Sequence, residues 1–80
     1  MKMAAPSLRD VQLAALGLAI RTLRKEMDLS QESLAHLAEI DRSHMGKIER
    51  GERNLTFVNL VKIARVLRCQ PSDLLRKAGM

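Results

Sequence analysis

Apolar residues recur along this chain at intervals of three and four positions, which is the spacing of one face of an α-helix. The segment after Ser30 shows the pattern clearly, because Ser30 is a good N-cap with Ser33 at the third helical position. The apolar residues on one face of this segment are Leu34, Ala35, Leu37 and Ala38. The spacing therefore predicts a short helix that ends near Glu39.

A second short helix is predicted to follow after a tight turn. The carboxylate of Asp41 can accept the otherwise unpaired amide hydrogens of Ser43 or His44, so Asp41 is the expected N-cap. Glu39 and Ile40 are left to form the turn. The two helices are therefore expected to meet at a corner.

This second helix has two different faces when its residues are placed at ~100° intervals. Met45 and Ile48 point towards a core. The opposite side, which carries no large apolar residue, consists of Arg42, Ser43, Gly46, Lys47 and Arg50. Gly46 costs the helix roughly 1 kcal/mol relative to alanine, which indicates either close approach to a ligand or a tolerated surface glycine. The polar face favours water or an anionic partner.

A long first helix is predicted to begin at Ser7, which forms a capping-box-like pattern with Asp10. Its apolar positions are Leu8, Val11, Ala15, Leu16, Ile20, Leu23 and Met27. Gly17 lies within this pattern and can bend or split the helix. The apolar residues before Leu16 are expected to pack on the same core, with contact to a second subunit as the alternative. Met1–Pro6 is expected to be a frayed start.

Two more helices are predicted after Gly51, which can cap the second short helix at its C-terminal end. Thr56 caps the fourth helix, and Pro71 starts a short fifth one. The inner stripe of the fourth helix is predicted to be Phe57, Leu60, Val61, Ala64 and Leu67. Ile63 and Val66 lie off this stripe, which indicates either deep burial or a partner. The pattern gives five helices and no strand, in one domain over residues 1–80.

The amino-acid composition indicates what class of partner this all-α domain binds. The chain has 14 Lys and Arg against 9 Asp and Glu, with a net charge of +5, which favours nucleic acid or an acidic surface over a merely basic soluble protein. Phe57 is the only aromatic residue, so recognition of single strands by stacking of unpaired bases is disfavoured. Binding to double-stranded nucleic acid remains. With 80 residues the core is small, and dimerisation would reinforce it.

Other chemistry finds little support in the sequence. Cys69 is the single cysteine, which excludes an internal disulfide and fits a reducing cytoplasm. His36, His44 and Cys69 show no zinc spacing, so we expect no metal site, no cofactor and no enzymatic activity. No apolar run is long enough to span a membrane, and Met1–Pro6 is too short for a signal peptide. A soluble cytoplasmic protein is expected.

The segments LSQESLA and IDRSHMGKIERGERNLT resemble the helix-turn-helix of the lambda-repressor and Cro-like (XRE-type) family. The resemblance covers Leu16 to Leu75 and, within the family, is greatest to the small controller proteins of restriction–modification systems. It implies a compact five-helix lambda-repressor-like DNA-binding domain with its motif at residues 30–50. Two turn positions at which the family often has glycine are Glu39 and Arg68 here. A left-handed conformation at either would cost of order 1 kcal/mol.

The resemblance also implies roles for individual residues. Those expected to read base edges are Arg42, Ser43, His44, Lys47 and Arg53. Those expected to contact phosphate or to brace the motif are Ser30, Gln31, Arg50 and Asn54. Arg24 and Glu49 match a structural ion pair, and an acid facing DNA among these cations would weaken phosphate binding. The candidates for a dimer contact, from the resemblance and from the surplus apolar positions, are Asn54, Leu55, Ile63, Val66, Leu74 and Leu75.

These observations predict a sequence-specific regulator of transcription that binds double-stranded DNA as a homodimer on a pseudo-palindromic operator. It would act by occupancy, with RNA polymerase as a further candidate partner. Two alternatives stay open. One is the antitoxin of a toxin–antitoxin pair, and the other is a protein-interaction module that has lost DNA binding. The absence of acids on the polar face of the second short helix weighs against the interaction module.

Overall fold

Five α-helices make up most of residues 7–80, which are the residues described in this computed structural model. The helices are α1 (Leu8–Glu26), α2 (Gln31–Leu37), α3 (Arg42–Glu49), α4 (Phe57–Val66) and α5 (Pro71–Lys77). The described residues contain no strand, so the predicted all-α class and helix count are confirmed. The predicted frayed start, Met1–Pro6, lies outside the described residues.

Local side-chain chemistry sets where the helices begin. In four of them a side-chain oxygen of the predicted cap accepts a backbone N–H of the first turn, and these caps are Ser7, Ser30, Asp41 and Thr56. In α5, Pro71 occupies the first turn and the side chain of Asp73 accepts the Gln70 amide at 2.8 Å. Each cap satisfies donors that the helix itself leaves unpaired.

The helix ends use the left-handed conformation even where the chain lacks glycine. Glu39 and Arg68 have φ of 56° and 57°, and Gly51 has φ of 74°. After α2, the Ile40 amide donates to the Ala35 carbonyl at 2.9 Å, which closes the turn. The turns are therefore formed with non-glycine residues, at a cost of order 1 kcal/mol each.

The core lies where the five helices converge. Its most deeply buried large residues are Ile20, Leu34, Met45, Ile63 and Leu74. Two residues predicted on inner faces are outside it, because Leu37 is 55% and Phe57 is 74% exposed. Leu37 lies in the last turn of its helix and Phe57 in the first turn of α4, and at a helix end a side chain can project beyond the neighbouring helices. The predictions for these two residues were wrong.

Two of the dimer candidates belong to the core. Ile63 and Leu74 are fully buried, so neither has surface to offer to a second copy. Of the two interpretations given for Ile63, deep burial is the correct one. Val66 and Leu75 are half-buried and pack against the core with part of each side chain at the surface.

The amino-terminal half of α1 departs from its prediction. Leu8 and Val11 were expected to pack on the core, yet they are 73% and 54% exposed. Leu8 and Val11 lie on the same side of α1 as the exposed Leu18, whereas Arg9 on the opposite side contacts Asn54. These two side chains therefore have no described neighbour to cover them.

Gly17 does not bend or split α1, which is continuous from Leu8 to Glu26. A Cβ atom at Gly17 would lie 2.5 Å from the carbonyl oxygens of both Ile48 and Glu49. Glycine is therefore required here because α1 crosses the end of α3 at very short range.

A buried ion pair joins these two helices. Arg24 Nε donates to Glu49 Oε2 at 2.8 Å and Arg24 Nη2 donates to Glu49 Oε1 at 3.0 Å, with both side chains less than a tenth exposed. Arg24 Nη1 donates to the Leu29 carbonyl at 2.9 Å, and Gln31 Nε2 donates to Glu49 Oε1 at 3.1 Å. The predicted pair is present and forms a network that fixes α1, α3 and the start of α2 relative to one another.

We predict that Arg24→Met and Glu49→Leu each destabilise the domain by ~3–5 kcal/mol, because each leaves the opposite charge buried without a partner. The double variant should recover much of this loss, since it removes both charges. Thermal melts of the three variants test the prediction. Single variants that melt at the parent temperature would show that the pair contributes little to the fold.

Candidate nucleic-acid interface

The polar face of α3 forms one open surface of the domain. Met45 and Ile48 anchor the opposite side of the helix in the core. The polar face borders a shallow concavity of about 450 Å³, which is lined by Gln31, Asp41, Arg42, Ser43, Gly46, Lys47 and Arg50. The structure thus brings most of the predicted base-reading and phosphate-binding side chains together, and α2 supplies one wall through Gln31.

The acid at the start of α3 is directed into the helix. The Ser43 hydroxyl donates to the Asp41 carboxylate, which also accepts the Ser43 amide at 3.1 Å and the His44 amide at 3.4 Å. The Ser43 hydroxyl and the His44 amide lower the pKa of Asp41. Asp41 therefore stays ionised as a helix cap, and part of the Ser43 hydroxyl's hydrogen-bonding capacity is used by the protein itself.

Gly46 is covered by side chains from two directions. A Cβ atom at this position would lie 3.1 Å from Arg50 Nη1 and 3.2 Å from Gln31 Oε1. Gly46 is thus buried, and it is not the open surface glycine of one interpretation. Its lack of a side chain lets Gln31 and Arg50 lie flat on α3, so the glycine shapes the floor of the concavity.

Arg50 is held by a neighbouring acid. Its guanidinium forms an ion pair with Glu52, and this hydrogen bond lowers the pKa of Glu52. Both side chains are more than half exposed, so the pair is weak in water. An incoming phosphate can share or displace this contact.

Arg21 is a cation that the sequence interpretation missed. It lines a second concavity of about 270 Å³ with Arg24, Gln31, Glu49 and Arg50, directly beside the first concavity. Arg21 precedes Arg24 by three residues and therefore lies on the same side of α1. That spacing, combined with the predicted Arg24–Glu49 pair, was a signal that could have placed Arg21 here.

Four predicted site residues lie outside both concavities, and these are Ser30, His44, Arg53 and Asn54. His44 is half-buried on α3. Ser30 uses its hydroxyl to accept the Ser33 amide at 2.9 Å and to donate to the Ser33 hydroxyl. Arg53 and Asn54 are exposed in the connection between α3 and α4, outside both concavities. Asn54 Oδ1 accepts a hydrogen bond from Arg9 Nε at 3.1 Å, which ties this connection to α1.

The remaining chemistry of the described residues is limited. Burial raises the pKa of the Cys69 thiol, and the nearby Asp73 raises it further, so this thiol is a poor nucleophile. Residues 7–80 contain no group of three or more His, Cys, Asp or Glu side chains placed to hold a metal ion. None of the helices in this range is long and apolar enough to cross a membrane.

Comparisons with known proteins agree with this geometry. The family described as Helix-turn-helix (HTH_3) matches residues 20–74. Control protein C.MunI from Mycoplasma sp is 41% identical over 68 residues, which cover 84% of this chain and 90% of the relative. The crystal structure of the restriction–modification controller protein C.AhdI from Aeromonas hydrophila has a TM-score of 0.76 at 45% identity and covers 78% of this chain and 94% of its own.

A further similar structure contains DNA. SinR, described as the master regulator for biofilm formation in complex with DNA, has a TM-score of 0.72 at 33% identity and covers 75% of this chain and 97% of its own. The family match at residues 20–74 includes all of α2 and α3 with the concavity between them. This chain therefore belongs to the helix-turn-helix family of sequence-specific DNA-binding transcription regulators.

Proposed function

We propose that the protein is a controller-type regulator that binds a pseudo-palindromic DNA site as a homodimer in the cytoplasm. The observation that carries the proposal is the concavity between α2 and α3, where cations are open and acids are already paired. The similarity to named control proteins favours this function over an antitoxin or an interaction module. RNA polymerase is a second proposed partner, because a regulator bound beside a promoter can block or recruit it.

In this proposal the reading of DNA is divided between the two concavities. Arg42 and Lys47 at the first concavity would contact base edges, with a preference for guanine, and Ser43 and His44 would contact neighbouring bases. Arg50 and Arg21, at the second concavity, would contact phosphates and release counterions. Gln31, fixed on Glu49, would brace α2 against α3. Arg53 and Asn54 would contact DNA from the connection before α4, and Ser30 would support the start of α2.

A footprint on the DNA upstream of the gene tests this function directly. We expect protection of two related half-sites, with affinity that falls as salt rises. Failure to protect any upstream sequence, together with equal affinity for all duplexes, would contradict the controller function. Failure to bind duplex DNA at all would instead favour the interaction module.

We predict that Arg42→Ala and Arg50→Ala weaken DNA binding in different ways. Loss of Arg42 should cost ~1–3 kcal/mol on the operator and little on random duplex, because it removes a base contact. Loss of Arg50 should weaken both and reduce the salt dependence by about one phosphate contact. Titrations on both DNAs at several salt concentrations measure this. Lys77→Ala, which removes an exposed charge on α5 outside both concavities, is the control.

For this prediction the two DNAs must be compared directly. If Arg42→Ala loses the same affinity on operator and on random duplex, Arg42 is not a base-reading residue. If Lys77→Ala matches Arg50→Ala, the effect of Arg50 reflects net charge alone.

We predict that Glu52→Gln strengthens binding to operator and random duplex by about two- to fivefold, the range expected for one exposed ion pair. The change frees Arg50 from its charged neighbour, so a phosphate no longer competes with a carboxylate. Titration at low salt gives the largest difference, because screening is weakest there. The gain should vanish in the Arg50→Ala background. A gain that persists there would show that it comes from net charge and not from Arg50.

We predict a homodimer whose two α3 helices are roughly 34 Å apart, one turn of DNA. The contact is proposed around Leu55 and the exposed pair Phe57 and Val58, with Asn54 and Leu75 at its margin. Val66 lies at the other end of α4, in a concavity with Leu37 and Glu39, so it is left out of the proposed contact. A single α3 reads only a few base pairs, too few to select one promoter among competing genomic sites. Two linked copies double the sequence that is read.

Sedimentation with and without operator measures the dimer. Phe57→Ser should lower the fraction of dimer and weaken operator binding, while leaving the melting temperature close to that of the parent because Phe57 is exposed. A protein that stays monomeric on DNA and protects one half-site would contradict the dimer and leave the DNA-binding function intact.

A further inference from the structure

An apolar stripe on the solvent side of α1 is left uncovered by the rest of residues 7–80. Leu8, Val11 and Leu18 are 73%, 54% and 60% exposed, and Ala15 between them is half-buried. The four residues are separated by three, four and three positions, which is the spacing of a coiled-coil seam. A helix that only covers a core has a wider stripe, and the core stripe of α1 lies on the other side, at Leu16 and its neighbours. Such an open seam indicates an interaction site.

We infer that this stripe pairs antiparallel with the same stripe of a second copy of the chain. A two-fold axis at the level of Leu13 sets Leu8 opposite the partner's Leu18 and Val11 opposite the partner's Ala15. A large side chain then faces a small one in the middle of the seam, and two leucines close it at each end. A parallel pair would instead set Ala15 against the partner's Ala15, which leaves a gap between the larger layers.

The charges beside the stripe favour the same orientation. Lys25 follows Leu18 by seven residues, so a parallel pair would set it against the partner's Lys25. In an antiparallel pair, Lys25 lies beyond the end of the second copy's stripe and meets no lysine of that stripe. The exposed positions that flank the stripe between Leu8 and Leu18 include Gln12 and Ala14, which carry no charge, so antiparallel pairing sets no like charges against each other there. The stripe therefore matches its own reverse order and has uncharged flanks, which favours a second copy of the chain as the occupant.

The contact is separate from the proposed operator-binding dimer. That dimer uses Leu55 and Phe57, whereas Arg9, which binds Asn54 of the adjoining connection, lies on the opposite side of α1 from Leu18. One copy can therefore use both surfaces at once, and the pairing of α1 would join two dimers. A contact made by single helices is small, so its association is weak and depends on protein concentration.

Sedimentation without DNA tests the pairing at roughly 100 μM protein, a concentration suited to an interface below the ~800 Å² per partner of standard size. We expect the average mass to fall in Leu18→Glu relative to the parent, and to fall again when Phe57→Ser is added. Leu37→Glu introduces the same change at another residue of similar exposure, on α2, and should leave the mass unchanged. Circular dichroism melts confirm that each variant is folded.

The variants separate this proposal from the operator-binding dimer. If Leu18→Glu has the same mass as Leu37→Glu and the parent, the α1 pairing is overturned, whatever Phe57→Ser does. If Leu18→Glu lowers the average mass and Phe57→Ser does not, the operator-binding dimer is contradicted while the α1 pairing stands.

Cysteine cross-linking tests the orientation in a Cys69→Ser background. Leu8→Cys and Leu18→Cys are prepared as two proteins that differ in mass, and are oxidised alone and mixed. Antiparallel pairing predicts a disulfide between the two proteins in the mixture and little in either alone. Disulfides in each protein alone without the mixed product would show a parallel pair, and absence of all three would show that the stripe does not self-associate. Either result overturns the proposal.

Discussion

The ion pair between Arg24 and Glu49 determines how the proposed DNA-binding surface is built. Two charges have been taken out of water, which is favourable only when the geometry is tight and the remaining donors and acceptors are satisfied. Both Glu49 oxygens accept from Arg24, and Arg24 also holds the Leu29 carbonyl just before α2. Gln31 adds a third donor. The pair and Gln31 thereby hold the start of α2 against α3, where the two helices line the concavity.

The pairing of the acidic side chains also determines the sign of the charge on this surface. Asp41, Glu49 and Glu52 all lie close to the concavities, yet each is held by a cap or a cation. Because these carboxylates are already compensated, Arg42 and Lys47 would determine the charge that DNA meets in the proposed complex. A helix-turn-helix with the same cations and one unpaired acid would lose part of this attraction.

The sequence was sufficient for features that depend on neighbouring residues. Caps such as Ser30 and Asp41 need only a side chain two or three positions from an amide, so their prediction succeeded. The exposure of a side chain depends on which helices lie nearby. Periodicity shows on which side of its own helix a residue lies, but it does not show whether another helix covers that side. Phe57 in the first turn of α4 and Leu8 on the solvent side of α1 both belong to apolar patterns, but no described helix covers either side chain. Arg21 was missed because its concavity is formed by three helices.

The misplaced apolar residues have a physical meaning of their own. A domain of this size has little core to spare, and exposed leucine or phenylalanine side chains promote non-specific association unless a partner covers them. Here they fall into two separate groups, one around Phe57 and one from Leu8 to Leu18. If both groups pair with a second copy as proposed, two contacts with different two-fold axes would give either a closed tetramer or an open chain of dimers. On DNA, either arrangement would raise the local concentration of a second dimer beside the first, so a weak contact on α1 would strengthen binding at adjacent sites even at protein concentrations too low for association in free solution.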